Sequence, residues 1–200
     1  MDGAFGLWAA ASPAHRHLVE GVGAADSWAT DAHKWLNVPY DSGIVTVRDA
    51  AHLTATLGTQ AAYLPGDGRE AMHLTPQSSQ RARAVTAWAA LRHLGRDGIA
   101  ELVARCCNHA SRFAAAMEAA GHEVMNDVVI NQVVVHFGTD ATTSEVISAL
   151  QEDGTIWVGP TVWQGKVAMR FSVSSWATID ADIESAVAAV AAVARATAGS

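Results

Sequence analysis

The stretch Asp26-Ser-Trp-Ala-Thr-Asp-Ala-His-Lys-Trp-Leu-Asn-Val-Pro-Tyr-Asp-Ser-Gly43 places a lysine among apolar and turn-forming residues. A strand pattern follows at once, because Gly43 to Arg48 is rich in β-branched side chains. A charged lysine in such surroundings must be solvated, paired with an anion or used chemically. Taken alone, Lys34 is most simply explained as a surface lysine at the tip of a loop.

Working outward from this stretch, the first 120 residues have the texture of an α/β domain. Residues 49–57 resemble a short helix, and residues 58–79 hold glycine and proline without any period, which predicts a long loop. Residues 80–94 and 97–120 carry apolar side chains at helical spacing. The glycines Gly95 and Gly121 stand where helix stop signals are expected.

Beyond Gly121 the pattern changes to short strands and helices. We predict strands at 132–137, 156–158 and 166–173, a helix over 144–151 and a closing helix from Asp180. The three strands with two helices on one face form a small α+β domain. The predicted division is therefore 1–120, with the loop 58–79 and the connecting helices, followed by 121–200.

Composition restricts the partners of this protein. A formal net charge of -7 and a pI near 5.6 disfavour nucleic acid and anionic membranes, because both require a basic surface. The two cysteines, Cys106 and Cys107, are adjacent, so neither a disulfide framework nor a CxxC pair is available. No apolar run reaches the roughly 18 residues of a spanning helix, and no secretory leader pattern opens the chain. We predict a reduced, cytoplasmic protein.

Other chemistry finds little support in the sequence. His15 and His17 are too closely spaced for an i, i+4 metal pair, so we predict no metal site. No Gly-x-Ser-x-Gly elbow or phosphate-cradling glycine loop occurs. Trp28, Trp35 and Trp88 are expected to pack in the core or at an interface.

The opening stretch resembles the lysine motif of the group II decarboxylases, which depend on pyridoxal 5'-phosphate (PLP) and act on amino acids. In that motif Asp-Ser-Phe-Asn-x-Asn-Pro-His-Lys-Trp precedes an apolar stretch ending in Asp-Cys or Asp-Ser. The residues in register here are Asp26, Ser27, His33, Lys34, Trp35 and Asp41. The resemblance implies that Lys34 is the catalytic residue that forms the Schiff base with the cofactor.

A second match lies at the start of the chain. Asp2-Gly-Ala-Phe-Gly resembles the family's His-Val-Asp-Ala-Ala-Tyr segment, whose aspartate pairs with the protonated pyridine nitrogen. The gap of about 30 residues to Lys34 is also that of the family. Neighbouring strands about 4.8 Å apart would place Asp2 and Lys34 on opposite sides of a pyridine ring. The alternative for Asp2 is a solvated carboxylate near the N-terminus.

The resemblance extends the cofactor-binding group beyond these two residues. It includes Ala4 beside Asp2, His33 near the cofactor phosphate or a backbone turn, and Thr30 as a hydroxyl donor. A buried capping role for Thr30 is the alternative. Tyr63 is the only tyrosine in the loop 58–79, where decarboxylases of this family carry a tyrosine that protonates the product carbanion. Because Tyr63 lies early in the loop, aminotransferase and aldehyde-lyase reactions are alternatives to decarboxylation.

Two further segments match the family. Residues 79–95 resemble its Arg-Arg-x-x-Ala-Leu-x-x-Trp-x-x-Leu-Arg-x-x-Gly helix, which implies structural or interface ion pairs for Arg81 and Arg83. The segment from Met169 resembles the closing Leu-Arg-x-x-x-x-Asn-x-x-Thr-x-x-Asp-Ile signature. Arg170 is then a ligand for a substrate carboxylate or a member of a structural salt bridge.

As a whole, the resemblance implies the C-terminal part of a fold-type I large domain, α/β with a mixed, mostly parallel sheet, followed by a small α+β domain. It implies a carboxy-lyase that acts on an amino acid or other small amine and works as a homodimer. The ring-stacking and phosphate-binding residues of the family lie upstream of its aspartate. We therefore expect a chain truncated at its N-terminus, and the alternative function is a non-catalytic remnant or association module.

Overall fold

The computed structural model describes residues 1–59, 61–64 and 70–198. In chain order, its helices and strands are β1 (Ser27–Asp31), α1 (Ala32–Trp35), β2 (Gly43–Val47), α2 (Ala50–Leu57), α3 (Arg83–Ala119), β3 (Glu123–Val124), β4 (Gln132–His136), α4 (Asp140–Asp153), β5 (Gly159–Trp163), β6 (Lys166–Ser172) and α5 (Asp180–Ala198). Short 3-10 helices lie at Gly6–Ala11, Arg16–Val19, Val22–Ala24 and Ala71–His73. In these described ranges, none of the helices combines the length and the apolar character that crossing a membrane requires.

The N-terminal sheet is small and mixed. β1 and β2 pair antiparallel, with Ser27 opposite Val47 and Asp31 opposite Gly43. The first residues of the chain lie along β1 through a parallel bridge between Asp2 and Ala29. A mixed sheet is thus present, although parallel pairing does not predominate among the described residues. The short 32–42 connection favours an antiparallel return, because parallel pairing needs a long crossover.

The helices that follow begin and end near the predicted residues. Asp49 caps α2, since its carboxylate accepts the Ala51 N–H at 2.9 Å. α3 is interrupted at Gly95, where φ is 62° and ψ is -171°, so the predicted pair of helices is confirmed. The left-handed φ of Gly95 explains the glycine, because a Cβ strains the backbone there. The predicted loop contains a single 3-10 turn within its described part, and residues 60 and 65–69 lie outside the described residues.

The C-terminal sheet has four antiparallel strands in the order β3-β4-β6-β5, not three. The short pair Glu123–Val124 was not predicted, and the predicted strand at 156–158 is wrong. Its place is taken by β5, which turns into β6 through Gln164 and Gly165 at φ 49° and 82°. Two successive left-handed residues favour a tight hairpin, so the turn rather than the apolar run sets where the strand lies.

One hydrophobic core unites the second half of α3 with the C-terminal sheet, α4 and α5. Phe113 of α3 stacks on Phe171 of β6 with ring centroids 3.9 Å apart. Trp35, from the other end of the chain, belongs to the same cluster and is only 1% exposed. Cys106 and Cys107 are buried there, and burial raises the pKa of both thiols to about 11. The domain division at residue 120 stays a prediction.

An ion-pair cluster joins α3 to the start of α5, and it should make stability depend on pH. His109 Nε2 lies 3.0 Å from Asp180 Oδ1, and Arg112 pairs with the same carboxylate. The hydrogen bond from His109, helped by Arg112, holds the pKa of Asp180 below its ordinary value of 3.8. A carboxyl with a lowered pKa stabilises the fold above its unfolded pKa, and this contribution disappears as pH falls through the folded pKa.

We therefore expect Asp180→Asn to lower the melting temperature at pH 6, with the difference from wild type shrinking steadily below about pH 4. Thermal unfolding followed by circular dichroism between pH 3 and pH 7 measures this. Glu152→Gln on α4 is the control, because Glu152 is exposed and forms no ion pair among the described residues. A deficit in Asp180→Asn that is equal at every pH would contradict the assignment.

Candidate active site

Lys34 lies on α1, one turn of helix directly after β1. The helix is anchored on its apolar side by Ala32 and Trp35, which are 0% and 1% exposed. The Ala32 N–H donates to the Ser42 carbonyl at 2.9 Å, and the Trp35 Nε1–H donates to the Phe5 carbonyl at 3.0 Å. With the buried side held in this way, Lys34 extends from the partly exposed side.

Among the described residues, the Lys34 ammonium has two partners. Its Nζ lies 2.7 Å from Asp31 Oδ2 and 4.7 Å from the centroid of the Phe5 ring. Asp31 is the last residue of β1, and Phe5 belongs to the N-terminal segment. The amine thus lies where the end of β1 meets the start of the chain.

The N-terminal segment, residues 2–5, is bonded to the same strand. The Gly3 N–H donates to the Ala29 carbonyl at 2.8 Å, and the Thr30 hydroxyl donates to the Gly3 carbonyl at 2.9 Å. Asp2 is exposed, and its Oδ1 accepts the Ala4 N–H at 3.0 Å. Asp2 and Lys34 are therefore both attached to the β1–α1 unit. The Thr30 hydroxyl therefore donates its proton to a backbone carbonyl, and the Ala4 backbone N–H donates to the Asp2 carboxylate.

His33 is held by the loop that follows α1. Its Nδ1 lies 3.2 Å from the Ser42 nitrogen and 3.1 Å from the Ser42 oxygen, and its ring lies against Tyr40 with centroids 4.4 Å apart. Its Nε2 is 3.6 Å from Asp31 Oδ2. The imidazole therefore shares the Asp31 carboxylate with Lys34 and orders the return of the chain to β2.

The remaining predicted residues lie around this group or away from it. Arg83 pairs with Asp41 at 2.7 Å, and this hydrogen-bonded ion pair lowers the pKa of Asp41. Tyr63 is 86% exposed. Arg170 is exposed on β6 opposite Gly159 and Val134. Within the described residues, no hydrogen bond or ion pair joins Tyr63 or Arg170 to Lys34, and Arg170 has no carboxylate partner.

The sequence interpretation did not include Asp31, Phe5 and Asn37. Asn37 adopts a left-handed φ of 51°, a conformation in which asparagine is enriched, and this was the available signal. Its side-chain amide donates to the Lys34 carbonyl at 2.6 Å and to the Ser174 carbonyl at 2.8 Å, and its Oδ1 accepts the Trp176 N–H at 2.8 Å. Asn37 thereby ties the helix that carries Lys34 to the segment after β6.

The donor set fits the two reactive ends of a pyridoxal cofactor. Lys34 offers a primary amine to an aldehyde, and the Asp2 carboxylate is exposed and forms no ion pair among the described residues. A carboxylate of this kind can hold a proton on a pyridine nitrogen. In the part of the chain that the structure describes, no group of three or more His, Cys, Asp or Glu side chains is arranged to hold a metal ion.

Comparison with solved structures shows the same fold in known decarboxylases. Oryza sativa TDC with PLP and tryptamine matches with a TM-score of 0.90 at 23% identity, over 98% of this chain and 44% of that one. Mouse CSAD matches with a TM-score of 0.85 at 19% identity, over 96% and 45%. The predicted fold class, part of a fold-type I PLP domain followed by a small α+β domain, is confirmed.

Curated relatives agree. The aromatic-L-amino-acid decarboxylase of Drosophila lebanonensis is 24% identical over 190 residues, which are 92% of this chain and 47% of that protein. The histidine decarboxylase of Drosophila melanogaster is 27% identical over 190 residues, 92% of this chain and 22% of the relative. This chain thus spans less than half the length of these relatives. The model of the pyridoxal-dependent decarboxylase conserved domain matches residues 1–137, and the chain belongs to that family.

Proposed function

We propose that this chain provides the lysine and the pyridine-binding carboxylate of a PLP-dependent amino-acid decarboxylase. The observation that carries the proposal is the placement of Lys34 and Asp2 on one structural unit, within the region that the family model matches. The family's dependence on pyridoxal supports the choice of cofactor. Because relatives that are more than twice as long carry the named activities, the activity of this chain is part of the proposal.

When bound, PLP supplies an electron sink for the bond that breaks at the substrate's Cα. Lys34 anchors the cofactor through Nζ, and Asp2 holds a proton at the pyridine nitrogen. His33, which is held by Ser42, would lie beside the cofactor. Trp35 and Asn37 hold α1 in place, which limits where Nζ can reach. The relatives' names support an α-amino acid as substrate, and we extend the proposal to a homodimeric assembly.

A second candidate function is a non-catalytic association module. The observation that favours it is an apolar stripe on the first half of α3, where Val85 and Trp88 are 61% and 63% exposed and Leu91 follows at the same spacing. Exposed apolar stripes of this kind mark surfaces that bury against another chain. This function requires no cofactor, so cofactor attachment discriminates between the two candidates.

The test uses the purified 200-residue chain mixed with PLP. We expect visible absorbance from the bound cofactor and, after borohydride reduction, a pyridoxyl adduct found by mass spectrometry on Lys34 and not on Lys166, the other lysine. Absence of an adduct, or equal labelling of both lysines, would contradict the cofactor proposal. Release of labelled CO2 from a panel of amino acids then tests decarboxylation, and an adduct without CO2 would leave only cofactor binding.

A further inference from the structure

Asp31 is placed as a helix cap but does not act as one. It is the residue before α1, a position where aspartate usually accepts a hydrogen bond from a helix N–H. Here its side chain accepts no such bond. In the described part of the chain, its close partners are instead a cation and a potential cation: Lys34 Nζ at 2.7 Å and His33 Nε2 at 3.6 Å. The carboxylate is therefore directed at the reactive amine rather than at the backbone.

This position departs from the motif that the lysine stretch resembles. In Asp-Ser-Phe-Asn-x-Asn-Pro-His-Lys-Trp the residue three before the lysine is asparagine, and here it is Asp31. A neutral amide can accept a hydrogen bond from an ammonium, but it cannot form an ion pair with it. The substitution therefore adds a full negative charge beside Lys34 and leaves the shape of the side chain almost unchanged.

We propose that Asp31 is a positioning residue that holds the Lys34 amine in an ion pair and thereby slows its bonding to a carbonyl carbon. The Phe5 ring acts in the same direction, because an aromatic face attracts a cation and not a neutral amine. For attack, Nζ must lose a proton to solvent and leave the carboxylate. Its lone pair then forms the C–N bond, and the carbonyl oxygen departs as water.

The inference rests on the proposed function only where the carbonyl belongs to PLP. The reactivity of the amine itself can be measured with any small aldehyde. This chain is well suited to that measurement because it contains two lysines. Lys166 Nζ lies 3.1 and 3.0 Å from the two carboxylate oxygens of Glu123, so it provides a matched ion-paired reference on a different element.

The experiment is competitive reductive methylation of the whole chain with limiting formaldehyde and cyanoborohydride, which delivers the hydride. The ratio of methylation at Lys34 to that at Lys166 is read by peptide mass spectrometry. We expect Asp31→Asn to raise this ratio roughly 1.5- to fivefold, the range that corresponds to losing a partly exposed ion pair. Asp31→Glu, which keeps the charge, should leave the ratio close to wild type. Glu123→Gln should lower it by accelerating Lys166 alone.

A second measurement leaves Asp31 unchanged, so it tests the inference even if Asp31→Asn does not fold. In Glu123→Gln only Lys34 keeps its ion pair, so raising the salt concentration from 0.01 M to 1 M should raise the Lys34 to Lys166 ratio, because salt screens partly exposed pairs. An unchanged ratio in folded Asp31→Asn, or an equal rise in Asp31→Glu, overturns the inference. So does a ratio that does not respond to salt.

The experiments distinguish failure of the proposed function from failure of the role of Asp31. If wild type forms no PLP adduct and Asp31→Asn still raises the methylation ratio, the proposed function is wrong and the role of Asp31 stands. If wild type forms the adduct and the ratio does not move, the role of Asp31 is wrong and the cofactor site stands. If both stand, Asp31→Asn should also attach PLP faster than wild type, by a similar factor.

Discussion

Replacing Lys34 with arginine should remove covalent PLP attachment completely while leaving the fold intact. A guanidinium stays protonated at all working pH values and cannot add to an aldehyde carbon, yet it keeps the charge that Asp31 and Phe5 contact. Borohydride reduction after incubation with PLP, followed by intact and peptide mass measurement, is the assay. The expected result is loss of the pyridoxyl mass that wild type carries at residue 34.

Lys166→Arg is the matched control for this prediction. Lys166, the first residue of β6, pairs with Glu123 of β3, and it should be replaceable without affecting the adduct on Lys34. An equal loss of adduct in both variants would show that PLP reacts with surface amines without selection. Retention of a cofactor adduct in folded Lys34→Arg would place the attachment site elsewhere.

Replacing Trp35 with alanine should cost about 3–5 kcal/mol of unfolding free energy, as other buried aromatic truncations do. Trp35 is 1% exposed and belongs to the main core, so its loss leaves a cavity between α1 and that core. Trp35→Phe keeps an aromatic ring and removes the N–H that Phe5 accepts. We expect it to cost about 1–3 kcal/mol, because it leaves the partly buried Phe5 carbonyl without its donor.

Urea unfolding followed by circular dichroism measures both variants. Trp157→Ala is the control, because Trp157 is 78% exposed, and changes at such exposed positions usually stay within about 0.5 kcal/mol. If Trp35→Ala and Trp157→Ala lost similar free energy, Trp35 would not be the anchor of α1. A destabilised Trp35→Phe variant that keeps its PLP adduct would separate stability from the position of the amine.

Local sequence patterns predicted the secondary structure correctly where one residue type determines the backbone conformation. The predicted interruption at Gly95 follows from its left-handed backbone. The predicted helix over 49–57 begins where the Asp49 carboxylate accepts an N–H two residues later. The strand at 156–158 failed for the complementary reason. Ile156, Trp157 and Val158 are apolar, but strand pairing depends on the hairpin turn at Gln164 and Gly165 and on the partner strand β6.

By itself, the sequence determined the family and predicted Lys34 as the Schiff-base lysine, because the lysine motif is contiguous and can be recognised without knowing what surrounds it. Only the tertiary structure decided which groups contact Lys34. The ring of Phe5 reaches the amine through pairing of residues 1–3 with β1, and Asn37 bonds to Ser174 across 137 residues of chain. The contact of Asp31, only three residues away, also depends on the folded structure. Its carboxylate accepts no hydrogen bond from the helix N–H groups and lies against Nζ instead. A linear motif specifies residue types, whereas the electrostatic environment of an amine depends on distances that folding alone sets.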